Sequence, residues 1–167
     1  MPLDDLNNLP TAEAAEAFAR CCGARRWVDG MVHRRPYRDG REVLAAADEV
    51  WERLGPEDYR EAFGHHPKIG DLSSLRAKFA NTRDWASGEQ AGTAVATEEI
   101  LQGLADGNRE YEARFGHIYI VCATGKSARE MLDNLQARLK NEPDHELRVA
   151  AAEQAKITRL RLEKLLA

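Results

Sequence analysis

The sequence predicts an all-α fold of roughly seven or eight helices, as one compact domain of residues 1–167 with its core from about residue 10 to 166. Three observations predict this fold. Helix-ending residues recur about every dozen positions, and the apolar residues between them are spaced by three or four rather than alternating. Capping motifs also precede several of these segments. At 167 residues, the chain is long enough to bury one sizeable core without disulfides or structural metals.

The first half of the chain shows four such helical segments. The clearest begins at Asp39, which stands three residues before Glu42 in a capping-box arrangement, so that each side chain can satisfy an orphan backbone N–H. Thr11 is expected to cap the first of the four in the same way. The segments are 11–23, 27–32, 39–55 and 56–64, and each ends at a glycine or before a proline.

The next part of the chain predicts a loop, a brief helix and a long helix. The loop covers residues 64–74, where Pro67 and two glycines interrupt helical spacing, and the brief helix runs through Phe79. Ser87 is expected to cap a long helix that continues to Phe115, although glycines at 103 and 107 weaken its middle.

The last third of the chain predicts two more helices after a β-like run. Residues 117–123 are the β-like run, and because a lone strand has no partner for its backbone, we interpret it as a buried extended connection or a helix start. Ser127 and Glu130 form a second capping box, and Pro143 opens a final helix to about Leu166.

Composition excludes several classes of function. With 24 Lys and Arg against 28 Asp and Glu, the net charge of −4 argues against nucleic acid as the main partner. No apolar stretch approaches the ~20 residues of a membrane span, and the N-terminus lacks the features of a signal peptide, so we expect a cytoplasmic protein. Cys21, Cys22 and Cys122 lack the spacing of a zinc site and are expected to be free thiols.

The segment from Gly64 to Asp71 holds the most informative candidate residue, His66. Pro67 restricts the backbone before it, so His66 is held on a stiff chain, and imidazole is the side chain whose pKa best suits proton transfer near neutrality. The alternative is a capping or surface histidine beside a turn. Because neighbouring side chains diverge, only one of His65 and His66 is expected to face a site.

Glu89 and Gln90 form a second candidate, flanked by small residues that let a ligand approach. Paired carboxylate and amide groups can recognise a flat polar heterocycle through donor and acceptor contacts. The alternative is an ordinary acidic residue in the first turn of a helix, where the helix dipole stabilises it.

Arg161 is a third candidate, because it interrupts the apolar positions Ile157 and Leu165 at four-residue spacing. Its guanidinium either points into a pocket to bind a carboxylate, extends to the surface, or forms a structural ion pair. Arg159 is expected to project from another face. The sequence has no HExxH motif or cluster of carboxylates typical of a metal site, so no metal is expected.

Several segments, spread over roughly residues 10–166, have a joint order and spacing that is highly specific. They are His66-Pro67-Lys68-Ile69-Gly70-Asp71, Glu89-Gln90-Ala91-Gly92, Asn108-Arg-Glu-Tyr111, the run Phe115 to Gly125, and Ile157-Thr-Arg-Leu-Arg161-Leu. Together they resemble the OHCU decarboxylase family, which converts 2-oxo-4-hydroxy-4-carboxy-5-ureidoimidazoline (OHCU) to (S)-allantoin and CO2 in the last step from urate.

The resemblance implies an all-α homodimer that binds OHCU and works without a cofactor. It implies catalytic roles for His66 and Glu89, and a carboxylate-binding role for Arg161. The family's serine contact falls at Ala86 here, and Ser87 lies one position later. The remaining residues that the resemblance places around the substrate are Pro67, Ser87, Gln90, Ile120, Val121, Cys122, Ala123 and Thr124.

Two other functions remain open at this point. One is a hydrolase or isomerase that acts on a related ureido or imidazole compound in the same pocket. The other is a non-catalytic helical interaction module in which the histidine loop is structural; substitutions at His66, Glu89 and Arg161 would then be harmless.

Overall fold

The computed structural model describes residues 1–68, 71–79 and 97–167, and the regular secondary structure of these residues is entirely helical. The all-α prediction is confirmed. The described residues divide into two compact units, one of Met1–His66 with Val149–Ala167 and the other of Pro67–Arg148. The helices are α1 (Leu3–Asn8), α2 (Thr11–Ala19), α3 (Arg25–His33), α4 (Gly40–Glu52), α5 (Pro56–Gly64), α6 (72–79), α7 (Glu98–Phe115), α8 (Ala128–Arg138) and α9 (Pro143–Leu166).

The first unit packs α1 to α5 and the C-terminal part of α9 around buried aromatic rings. Phe18 meets Trp27 edge to face, with ring centroids 6.1 Å apart. The Trp27 indole donates to the carbonyl of Ala47 at 3.2 Å, and the Trp51 indole donates to the carbonyl of Ala151 at 3.0 Å. Since both buried indole N–H groups have acceptors, Trp51 fixes α9 against α4 without leaving an orphan donor.

The second unit depends on a close approach of α7 and α8. A Cβ atom added at Gly107 would lie 2.6 Å from Cδ2 of Leu135, and one added at Gly103 would lie 3.1 Å from Cδ2 of Leu132. Glycine in a helix costs up to about 1 kcal/mol relative to alanine. Here the two glycines create the space that the leucines of α8 fill, so packing compensates for the weak helix propensity.

A buried charged cluster holds the segment 117–123, which is neither helix nor strand. Of the two interpretations, a helix start is therefore wrong and a non-helical connection is correct. Arg138 Nη1 donates to the carbonyl of Ile120 at 2.7 Å, and Arg138 Nη2 pairs with Glu146 Oε2 at 2.5 Å. The Tyr111 hydroxyl donates to the same carboxylate. Burial, and then this hydrogen bond, raise the pKa of Tyr111, so its hydroxyl stays protonated. Side chains thus replace the strand partner that the segment lacks among the described residues.

The caps predicted at Asp39 and Ser127 are confirmed, whereas the cap predicted at Ser87 lies outside the described residues. Asp39 Oδ1 accepts from the backbone N–H of Glu42 at 2.9 Å, and Ser127 Oγ accepts from that of Glu130 at 3.1 Å. The return bond of Glu42 goes to the backbone N–H of Arg38 at 2.6 Å, one residue before the expected donor.

Three helix boundaries differ from the predictions. The helix α1 was not predicted, and α2 is preceded by Pro10 rather than capped by Thr11. A continuous helix from Ser87 is wrong, because α7 begins only at Glu98. Thr97, before it, has extended backbone, and its Oγ1 accepts the N–H of Ile100 at 3.1 Å. A threonine cap therefore ends helical continuity where periodicity alone suggested one long helix.

Candidate active site

His66 lies directly after α5, at the point where the chain leaves the helix. Its backbone N–H donates to the carbonyl of Phe63 at 3.2 Å, and Pro67 then has no N–H with which to continue the ladder. The ring of the preceding His65 lies against the turn between α2 and α3, because a Cβ at Gly23 would stand 2.4 Å from its Cγ. Glycine at position 23 therefore permits the position of the histidine pair.

The side chain of His66 is half-buried and hydrogen-bonded into α9. Its Nε2 lies 2.5 Å from Oε1 of Gln154, whose Nε2 donates to Thr158 Oγ1 at 3.0 Å. Gln154 and Thr158 are only 1% and 5% exposed, so water does not compete for these bonds. The Thr158 hydroxyl also hydrogen-bonds the thiol of Cys22. The result is a buried polar chain from the imidazole to α2–α3.

Arg161 lies on the same helix face, close enough that its charge acts on His66. Burial lowers the pKa of His66 from its ordinary 6.5, and the Gln154 hydrogen bond acts in the opposite direction. The positive charge of Arg161 lowers this pKa further, with a smaller contribution from the adjacent His65. The imidazole is therefore neutral near pH ~7 and can accept a proton.

The guanidinium of Arg161 has no carboxylate within ion-pair distance in the described parts of the chain, unlike that of Arg159. Arg159 lies 3.9 Å from Asp48 and 3.5 Å from Glu163, and its side chain is 51% exposed. The prediction that these two arginines project from different faces is confirmed. Arg161 is half-buried, and because no carboxylate of the described ranges neutralises it, its charge can attract an anionic ligand.

Two thiols lie beside this charge. Burial raises the pKa of both Cys21 and Cys22 to about 11, although the Arg161 charge acts in the opposite direction. Both thiols, like that of Cys122, are buried and form no disulfide in the described residues, in agreement with the prediction.

The other predicted site residues are distributed differently. Ser87, Glu89 and Gln90, with Ala86, lie outside the described residues. Pro67 and the segment 120–124 belong to the second unit, whereas His66 and Arg161 belong to the first. Pro67 and Thr124 are exposed, Val121 and Ala123 are half-buried, and Ile120 and Cys122 are buried.

An open cleft of about 690 Å³ in the first unit contains none of the predicted site residues. Its lining includes Arg34, Arg38 and Arg41, and two of these arginines pair with carboxylates that also line the cleft. Arg34 pairs with Glu49 at 2.6 Å, and Arg38 with Glu42 at 3.5 Å. Because these exposed pairs neutralise one another, the cleft offers a bound anion little net attraction.

Gln154 and Thr158 are functional candidates that sequence reasoning missed. Together with Arg161 they occupy positions i, i+4 and i+7 of α9, so they share one helix face. This polar stripe is the signal that could have identified them.

Two kinds of feature are absent from residues 1–68, 71–79 and 97–167. No group of three or more His, Cys, Asp or Glu side chains in these ranges could hold a metal ion. None of the helices that they form combines the length and apolar character needed to cross a bilayer.

A helical scaffold that places a neutral imidazole near a guanidinium without a carboxylate partner among the described residues suits an enzyme for small anionic molecules. Residues 7–163 match the family model described as OHCU decarboxylase. The chain belongs to the OHCU decarboxylase family, a family of carboxy-lyases.

Similarity to individual proteins agrees with this membership. The chain is 36% identical over 145 residues to the uric acid degradation bifunctional protein TTL of Arabidopsis thaliana, covering 87% of this chain and 45% of that protein. It is 28% identical over 174 residues to the 2-oxo-4-hydroxy-4-carboxy-5-ureidoimidazoline decarboxylase of Amia calva, covering 99% and 95%. The chain therefore spans just under half of the plant protein and nearly all of the fish protein.

A solved structure is also similar. It is a crystal structure of OHCU decarboxylase in the presence of (S)-allantoin, with 33% identity and a TM-score of 0.70. The match covers 89% of this chain and 96% of that one.

Proposed function

We propose that the chain catalyses the cofactor-free decarboxylation of OHCU to (S)-allantoin and CO2, the last step from urate to allantoin. The observation that carries the proposal is that Arg161, which has no carboxylate partner in the ranges that the structure describes, lies close enough to His66 in the first unit for its charge to lower the pKa of the imidazole. The family match from residue 7 to 163 supports it, as does the similarity to a decarboxylase crystallised with (S)-allantoin.

The substrate itself provides the electron sink for this reaction. Its carboxylate is attached to a carbon beside a ring C=N bond, so the electron pair of the breaking C–C bond forms a C=C bond as the ring nitrogen takes a proton. The hydroxyl on the same carbon then loses its proton and becomes the carbonyl of allantoin, while a proton adds to the neighbouring carbon. The protein therefore has to supply orientation, charge placement and stereospecific proton transfer.

The residue roles follow from this chemistry and from the family resemblance. Arg161 binds the substrate carboxylate through its planar fork. His66 accepts the proton of the substrate hydroxyl. Glu89 and Gln90 fix the ring and its hydroxyl, and either His66 or Glu89 delivers the final proton. The remaining substrate contacts in this proposal are Pro67, Ser87, Ile120, Val121, Cys122, Ala123 and Thr124.

We further propose that residues 1–167 function as one catalytic domain and that the protein is a cytoplasmic homodimer. The family match, which runs through both compact units, supports a single functional domain. Light scattering after gel filtration tests the dimer, since the mass should be twice the 18.7 kDa of one chain; a monomer mass would reject it.

The direct test supplies freshly generated OHCU and follows allantoin by circular dichroism while CO2 release is measured. The wild-type protein should accelerate CO2 release and produce one enantiomer, and His66→Asn, if folded, should lose most of this acceleration. Turnover without CO2 would instead indicate a hydrolase or isomerase. A folded wild-type protein that leaves OHCU decay unchanged would reject the proposed activity.

A further inference from the structure

We propose that Gln154 is a positioning residue that holds neutral His66 in the tautomer protonated at Nε2, so that Nδ1 is the atom that accepts the proton of the substrate hydroxyl. This inference rests on the proposed decarboxylase function. It adds to that function a residue of α9 and a specific nitrogen of the imidazole.

The direction of the hydrogen bonds around Gln154 leads to this assignment. The amide has a donor end and an acceptor end, and the donor end is engaged, because Nε2 lies 3.0 Å from Thr158 Oγ1. The acceptor end, Oε1, lies 2.5 Å from Nε2 of His66. An amide oxygen cannot donate, so the imidazole supplies the proton of this bond.

Thr158 gives the amide of Gln154 its orientation. Its hydroxyl accepts the amide N–H and also hydrogen-bonds the thiol of Cys22. A thiol is a weak hydrogen-bond donor. If the Thr158 hydroxyl donates to Cys22, the thiol only has to accept, whereas in the reversed arrangement the thiol would have to donate to Thr158. The chain of donors is therefore His66 to Gln154 to Thr158 to Cys22.

The surroundings of His66 keep the imidazole neutral. A neutral imidazole protonated at Nε2 has a free lone pair on its other ring nitrogen. Arg161 faces it from α9, and its positive charge disfavours imidazolium, with a smaller contribution in the same direction from the adjacent His65. With Nε2–H committed to Gln154, the lone pair of Nδ1 is the proton acceptor of the neutral ring. Gln154 does not need to touch the substrate to have this effect.

A first experiment reads the tautomer without substrate, so its result does not depend on the proposed activity. The wild-type protein is labelled with 15N-histidine, and long-range 1H–15N correlation spectra report which ring nitrogen carries the proton. The chain has five histidines, and the signals missing from His66→Asn identify those of His66. The inference expects a protonated Nε2 and an unprotonated Nδ1. A proton on Nδ1 would overturn it, even if the protein decarboxylates OHCU.

A second experiment measures the pH profile of kcat. Gln154→Glu places a carboxylate against the ring, stabilises imidazolium and should move the acid limb of the profile to higher pH. Gln154→Leu removes the acceptor and should lower kcat by about 10- to 100-fold, as for other residues that orient a functional histidine, with KM within about twofold. The matched control Gln136→Glu makes the same change at an exposed amide of α8 and should keep the wild-type profile.

A merely structural Gln154 would give a different set of results. Folded Gln154→Leu with wild-type kcat, or Gln154→Glu with an unmoved acid limb, would reject the positioning role. If neither variant folds, two NMR measurements of the His66 tautomer still test the positioning role. One uses the wild-type protein, and the other uses Thr158→Val, which removes the hydroxyl that orients the amide. That variant should show a mixed His66 tautomer, and an unchanged single tautomer would count against the role of the chain.

Discussion

Replacing Arg138 with methionine should destabilise the protein more than any exposed charge change. The side chain of Arg138 is 5% exposed and that of its partner Glu146 is 0% exposed. Methionine fills the aliphatic volume but provides no donor. The variant therefore leaves a buried carboxylate without its counter-ion and removes the 2.7 Å bond to the carbonyl of Ile120.

The expected size of the effect follows from these contacts. Removing one member of a buried ion pair costs about 3–5 kcal/mol, and an orphaned carbonyl adds about 1–3 kcal/mol. Tyr111 and Asn141 still donate to Glu146, the latter at 3.0 Å, and reduce the cost. We therefore expect a loss of about 3–5 kcal/mol, which lowers Tm by about 6–20 °C at this chain length.

Thermal and urea unfolding followed by circular dichroism measure this loss. The control Arg109→Met removes an arginine that is 71% exposed and pairs with Asp106 one turn away, and it should cost under about 1 kcal/mol. Adding Glu146→Leu to Arg138→Met should recover part of the stability, because it removes the unpaired carboxylate. If Arg138→Met and Arg109→Met unfold at the same temperature, the reasoning about the buried cluster is wrong.

Three further predictions concern the first unit. Arg161→Lys should lower kcat/KM at least about tenfold because the planar fork is lost, whereas Arg159→Lys should stay within about twofold; equal kinetics would contradict a ligand-binding Arg161. Gly23→Ala should displace the His65 ring and cost about 1–3 kcal/mol in urea unfolding, and an unchanged midpoint would mean that the ring moves freely. Since the pKa of His66 is lowered in the folded protein, the unfolded chain binds more protons as the pH falls through about 6.5. Stability should therefore rise with pH across this range in the wild type, and the slope should be shallower in His66→Asn; identical slopes would refute the shift.

Local signals made much of the fold predictable. Caps such as Asp39 and Ser127 act within one turn of helix, and the structure shows the N-cap hydrogen bond predicted for each. The glycines at 103 and 107 were harder to interpret, because their effect depends on leucines of another helix. The start of α7 was missed because the helical spacing of apolar residues in the sequence continues on both sides of Thr97, although Thr97 is the N-cap of the helix.

The candidate site was predictable only in part. His66 stood out because a proline follows it, and Arg161 because it interrupts an apolar stripe. Gln154 did not stand out, since its importance comes from a contact across 88 positions of sequence. Long-range pairings of this kind depend on how the chain that leaves α5 is placed beside α9, which local sequence patterns do not report.

The buried thiol at the end of the His66 chain has a chemical consequence. With a pKa of about 11, Cys22 carries almost no thiolate near neutrality, and the neighbouring Cys21 has the same property. Alkylating agents and mild oxidants react with thiolate, so both sulfurs should be inert in the native protein and react only after unfolding. Mild oxidative stress in a cell should therefore leave the thiols of Cys21 and Cys22 in the folded protein chemically unchanged.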